Sequence, residues 1–111
     1  MLLNINMEYR KGILFVRLEG KLNKRSSRKL NNELVPVILK YGIKYLVYNL
    51  DNLQGIDKSG LKAILNGNKA IIGNNGQTYM CAIPLEFNEH FNQLPIIKTT
   101  NELTAMSLCS L

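Results

Sequence analysis

Three short apolar runs, at residues 13–18, 45–50 and 78–83, are separated by two longer stretches in which apolar residues recur every three or four positions. Runs of strand length rich in β-branched and aromatic residues read as buried strands, and the three-four spacing reads as a helix with one apolar stripe. Strands alternating with helices predict an α/β layer structure in which right-handed crossovers set neighbouring strands parallel. With 111 residues, no repeat and no linker, the chain reads as one domain over residues 1–111.

The details follow from turn and cap chemistry. Residues 7–10 precede the first run and are expected to pair with it through a hairpin at Lys11-Gly12. Asn23 is placed to cap the first helix, because its side-chain oxygen can accept from a free N–H of the first turn. Leu30, Leu34, Val37, Ile38 and Tyr41 form that helix's stripe, and Gly42 ends it. Pro36 falls inside the stripe and predicts a kink near residues 32–36 or an early end. Residues 51–56 read as a loop, after which Asp57 caps a second helix with Leu61, Ile64, Leu65, Asn68, Ile71 and Ile72 inward. Pro84 stops the third run. Phe87, Phe91 and Leu94 face inward from a short helical stretch, Ile96-Ile97 reads as an edge strand, and Thr99 with Glu102 has capping-box spacing. That box opens a last helix with Leu103, Met106 and Leu108.

The chemistry-bearing residues are sparse. His90 is the one histidine, the eight carboxylates are scattered, and neither a nucleophile elbow nor a phosphate-binding glycine loop occurs. Cys81 and Cys109 have no metal-ligand spacing and read as inert thiols. No enzyme, cofactor or metal is expected, and the absence of a long apolar run or secretory signal points to the cytoplasm. Charge is uneven: Arg10, Lys11, Arg17, Lys21, Lys24, Arg25, Arg28 and Lys29 lie within twenty residues whose one acid is Glu19. Such a cluster can meet an acidic ligand or nucleic acid, but it lacks the interleaved exposed aromatics of nucleic-acid modules. The stretch Asp57-Lys58-Ser59-Gly60 follows a strand and starts a helix. Ser59 then falls in the first turn, where free N–H groups and the helix dipole accommodate negative charge.

At these residues the chain resembles the STAS domain, in particular the sporulation and stress-response antagonists of anti-sigma factors. The resemblance rests on Asn49-Leu50, on Asp57-Lys58-Ser59-Gly60-Leu61 followed by Ala63-Ile64-Leu65, on Gly20-Lys21-Leu22-Asn23, and on the strand at 79–83. It implies an α/β sandwich with a mixed four- to five-stranded sheet and helices mainly on one face. It also implies partner switching: the unmodified chain binds an anti-sigma factor, itself a GHKL-type serine kinase, and so frees a sigma factor. Phosphorylation of Ser59 breaks that complex and a serine phosphatase resets it. Asn23, Lys24, Arg25, Asp57, Lys58, Ser59, Gly60, Leu61 and Lys62 are the implied partner-binding residues, on a monomer or weak dimer. Lys58 stands where the family carries a first serine, Asn23 where it usually has aspartate, and Gly55 where a bulky apolar residue is common. Another signalling or transport-accessory assembly would keep the fold and change the partner. A nucleic-acid or acidic-ligand role would work instead through residues 10–29.

Overall fold

The hairpin opens the structure. In the computed structural model, which describes residues 2–109, strand β1 (Asn4–Arg10) turns through Lys11 and Gly12 into β2 (Ile13–Leu22). Both turn residues have positive φ, 52° and 81°, the two-residue geometry whose twist matches that of the strands it joins. Helix α1 (Lys24–Tyr41), β3 (Tyr45–Ile56), α2 (Lys58–Gly73) and β4 (Gln77–Cys81) follow. A 3-10 turn (Leu85–Phe87), α3 (Asn88–Phe91), β5 (Ile97–Thr99) and α4 (Glu102–Leu108) complete the order.

The sheet order is β1-β2-β3-β4-β5, with β1 antiparallel to β2 and the remaining pairs parallel. Because side chains alternate across a strand, the register sorts the sheet into two faces. Leu14, Leu46 and Thr78 stand in one row and Val16, Tyr48 and Met80 in the next, under α1 and α2. Ile13, Phe15, Val47, Tyr79 and Cys81 face the other way, against Ala105 of α4. The expected mixed sheet and the one-sided distribution of its two long helices are both present.

Several local expectations are corrected. Helix α1 runs unbroken through Pro36, so the early end does not occur. Pro36 and Asn32, whose carbonyl loses its helical partner, are exposed, while Leu30, Leu34 and Ile38 anchor the buried side. Tyr41, the last residue of α1, and Ile72, in the last turn of α2, are both expected inward and are 66% and 58% exposed. The loop at 51–56 is instead the second half of β3, which stays paired with β2 past register shifts after Arg17 and Gly20. Gly55 therefore lies in a strand beside Lys21 rather than in a loop. The third run leaves the sheet at Cys81, since Ala82 has φ 54°. At α4 the cap is Asn101, whose Oδ1 accepts from the Thr104 N–H at 2.8 Å; Leu103 and Leu108 point outward, and Ala105 is the buried residue.

The layers are joined by specific contacts. The Tyr48 hydroxyl, fully buried, donates to the Ile64 carbonyl at 3.1 Å, and burial pushes its pKa well above the usual phenol range. Gly67 faces it: a Cβ there would collide with the Tyr48 hydroxyl and lie 3.1 Å from Leu34. On the other face Arg17 holds α4 with a forked ion pair, Nε to Glu102 at 2.7 Å and Nη2 at 2.8 Å, while Asn49 donates to Glu102 at 2.8 Å. Arg17 also reaches Glu8 at 2.9 Å, so one guanidinium joins β1, β2 and α4. The Arg17 hydrogen bond, more than any other cause, holds the Glu102 carboxyl below the usual carboxylate range.

Two predictions follow from this packing. Gly67→Ala is expected to lower the unfolding free energy by about 1–3 kcal/mol, the range for forcing a carbon into a filled core. Gly73→Ala, with no atom within 4 Å of the new carbon, should raise it by about 0.5 kcal/mol through the unfolded chain. Urea midpoints of the two variants check the contrast, and an equal loss in both would contradict it. A carboxyl whose folded pKa is depressed adds stability above its unfolded pKa and loses it as pH falls through the folded one. Glu102→Gln should therefore be less stable than the parent by a constant margin at neutral pH, with the margin closing below about pH 4. Urea midpoints across pH measure it; a margin that persists at acid pH would remove the carboxylate from the account.

Candidate functional site

The starts of α1 and α2 meet at one end of the sheet. Leu22 and Ile56 are register partners at the ends of β2 and β3, and the Asp57 N–H donates to the Leu22 carbonyl at 3.2 Å. The two N-caps, Asn23 and Asp57, therefore follow directly from paired strand ends. Asn23 has extended backbone angles, and its Oδ1 accepts from the Arg25 and Ser26 N–H groups, each at 3.1 Å. Ser26 Oγ returns the bond by accepting from the Asn23 N–H at 2.8 Å, and it donates to the Lys21 carbonyl at 2.7 Å. At α2 the Asp57 carboxylate accepts from the Gly60 N–H at 3.0 Å. A carboxylate cap beside the positive end of the helix dipole holds that turn in place.

Ser59 is the second residue of α2, half-buried, and its hydroxyl has no hydrogen-bond partner among the described residues. It is neither sealed in the core nor remote from a helix start. Lys58 and Lys62 flank it and are exposed, as are Asn23, Lys24, Arg25 and Asp57. Leu61 is half-buried against the core, and Gly60 is buried. Gly60 is explained by its neighbours: a Cβ there would press on the Leu22 carbonyl oxygen and lie 2.8 Å from Ile56 and 2.9 Å from the Leu22 side chain. The glycine lets α2 start against the end of β2, and this close approach sets the height of Ser59.

The basic segment 10–29 does not form one face. Arg17 is engaged by Glu102 and Glu8, and Arg10 lies 3.8 Å from Glu8. Both guanidinium groups lie over the Phe15 ring, at 5.5 and 5.6 Å, on the α4 side. Only the residues from Lys21 onward reach the helix starts. His90 is exposed beside Phe87, and among the described residues no cluster of His, Cys, Asp and Glu could hold a metal. Burial pushes the Cys81 thiol up to about 11, which keeps it protonated and unreactive. Among the described residues no helix is long and apolar enough to cross a membrane.

Sequence reasoning missed two features of this end. Ser26 is buried and completes the Asn23 cap, a role that Asn23-x-x-Ser26 spacing signals once serine is admitted in place of glutamate. A cleft of about 460 Å³ lies beside the α1 start, lined by Leu2, Leu3, Asn23, Arg25, Ser26 and Lys29. The N-terminal residues that wall it carry no periodic signal.

Comparison with known proteins agrees with this geometry. The STAS domain family model matches residues 4–104. A Paenibacillus polymyxa protein named anti-sigma F factor antagonist is 32% identical over 117 residues, covering 99% of this chain and all of that protein. The anti-sigma factor antagonist SpoIIAA in its unphosphorylated form superposes with a TM-score of 0.77 at 17% identity, over 94% of this chain and 96% of the other. The phosphorylated form of the Bacillus cell fate determinant SpoIIAA gives 0.75 at 15% identity, over 96% and 100%. At those identities the two structures speak for the fold. The family match across nearly the whole described chain and the full-length relative together establish that this chain belongs to the STAS domain family.

Proposed function

We propose that this chain is an anti-sigma factor antagonist controlled by phosphorylation of Ser59. The observation that carries the reading is the Ser59 hydroxyl itself, half-buried in the first turn of α2 next to the capped start of α1 and without a hydrogen-bond partner among the described residues. A hydroxyl in that position can be reached by a kinase and covered by a partner. The name of the full-length relative supports the antagonist role, and the existence of a phosphorylated form of a protein with this fold supports the switch.

In this reading the unmodified surface around Asn23, Lys24, Arg25 and the 57–62 turn docks on an anti-sigma factor that is also a GHKL-type serine kinase. Transfer of the γ-phosphoryl group of ATP to Ser59 Oγ releases ADP and the hydroxyl proton. The product carries about −1.5 to −2 charges. Within a helix start this charge meets free N–H groups and the dipole, so the fold accommodates it. Within a closed interface the same dianion lacks water and a built partner, and the complex opens. A serine phosphatase restores the hydroxyl.

Incubation with the anti-sigma F factor of Paenibacillus polymyxa and ATP, followed by intact-mass measurement, tests the assignment. One phosphate is expected on the parent chain and none on Ser59→Ala. Ser59→Glu is expected to weaken the complex by at least tenfold, about 1.4 kcal/mol. Phosphate that persists in Ser59→Ala would move the site elsewhere, and unchanged affinity in Ser59→Glu would remove the switch.

A further inference from the structure

The charge of this protein is segregated by fold. Among the described residues every ion pair lies in the Arg10, Arg17, Glu8 and Glu102 group, on or beside the α4 face. Segments 21–29 and 57–62 carry seven of the fourteen cations and one of the eight acids, Asp57. Seven cations and seven acids remain for the rest of the chain, so the formal net charge of +6 resides in these two segments.

Four of these cations, Lys24, Arg28, Lys58 and Lys62, belong to the side where the two helix starts meet, whereas Arg25 and Lys29 line the cleft beside Leu3, where Lys29 Nζ donates to the Leu3 carbonyl at 2.8 Å. The pairing of Leu22 with Ile56 brings their strands to the same end of the sheet. Asn66 donates to Asn31 across the seam between α2 and α1, and Arg28 and Lys62 precede those residues by one helical turn on their own helices. Lys24, Arg28, Lys58 and Lys62 are exposed, and none belongs to an ion pair among the described residues. Neither helix has an acid in its first turn, and the Asp57 carboxylate is engaged as the Gly60 cap. These cations repel one another across a surface that contains the Ser59 hydroxyl.

We propose that this pole is built to receive an acidic protein surface: the partner that docks at Ser59 presents carboxylates to Lys24, Arg28, Lys58 and Lys62, and their attraction speeds the encounter. The inference rests on the antagonist reading for the partner's identity and adds the chemistry of its docking face. Complementary charge acts chiefly on association rates and on the exclusion of wrong partners. A protein fits better than a nucleic acid because segments 21–29 and 57–62 contain no aromatic residue on which a base could stack. Phosphate on Ser59 would offset only about −1.5 to −2 of the four positive charges of Lys24, Arg28, Lys58 and Lys62. Approach would persist in the modified chain, and the switch would act on the lifetime of the complex.

Rapid-mixing kinetics of the full chain with the anti-sigma F factor of Paenibacillus polymyxa separate the two claims. The association rate should fall roughly tenfold between low salt and about 0.5 M salt. The combined variant Lys24→Glu, Arg28→Glu, Lys62→Glu should associate roughly tenfold more slowly at low salt, with the deficit vanishing at high salt. A rate insensitive to both salt and charge reversal overturns the docking proposal while leaving the antagonist reading intact. A dissociation rate unchanged in Ser59→Glu removes the switch and leaves the docking proposal standing. Amide-shift titrations with poly-L-glutamate and with oligothymidylate form a second arm that needs no cognate partner. Poly-L-glutamate should perturb Lys24, Arg28, Lys58 and Lys62 in the parent chain and not in the reversed variant. Perturbation elsewhere, or tenfold tighter binding of oligothymidylate, overturns the assignment to an acidic protein.

Discussion

The approach of Gly60 to the Leu22 carbonyl is the contact on which this end of the molecule depends. A side chain at position 60 would strike the last turn of backbone in β2 and the flank of Ile56 at once. Without one, α2 can begin directly at the end of β3, and the Asp57 N–H can bond to Leu22. The same Leu22 carries the chain into Asn23 and the start of α1. Thus the spacing of the two helix starts, and the depth at which Ser59 lies, are set by one glycine and one strand pairing. The glycine of the family motif is here a packing requirement before it is anything else.

The two faces of the sheet are held by different physics. Under α1 and α2 the contact is largely apolar, with the Tyr48 hydroxyl satisfied by the Ile64 carbonyl and the polar side chains of Asn68 and Thr78 also buried. On the α4 side a small apolar cluster leaves a seven-residue helix marginal by burial alone. The forked Arg17–Glu102 pair, reinforced by Asn49 and Glu8, supplies the missing definition. Partly exposed pairs contribute modestly each, and this one gains from its two-point geometry and shared network. A consequence is that acids and bases are matched on this face, which leaves the unmatched cations at the helix starts.

How much of this was legible in the chain depends on range. The three apolar runs, the hairpin at Lys11-Gly12, and the caps Asn23 and Asp57 are local signals, and each appears where its chemistry places it. Failures occur where a distant partner overrides local preference. Residues 51–56 read as loop because Asp51, Asn52 and Gly55 disfavour strands, but the end of β2 keeps them paired. Pro36 breaks helices in isolation, but an anchored stripe on the opposite side of α1 carries the helix through. Glu102 has capping-box spacing from Thr99, but Arg17, 85 positions away, takes its carboxylate and Asn101 becomes the cap. Ser59 was legible as a helix-start hydroxyl, whereas its half-burial comes from the meeting of β2 and α2 and has no local trace.

Segregation of charge and exposure of the hydroxyl bear on each other. A first-turn serine between Lys58 and Lys62 in the sequence is a place where a dianion costs the folded chain little, since the free N–H groups and dipole of the helix start favour it. The same surroundings leave the unmodified pole with mutual repulsion, because among the described residues none of Lys24, Arg28, Lys58 and Lys62 forms an ion pair and the one acid, Asp57, is engaged as the Gly60 cap. In the proposed switch two species would relieve that repulsion, a phosphate on Ser59 or the carboxylates of a docked protein, and they would overlap at the start of α2. Competition between an internal anion and an external one is a sufficient physical basis for a switch, with no change of backbone required. The fold then needs to supply only a rigid seat for the hydroxyl, and the clasp of Gly60 on Leu22 provides it.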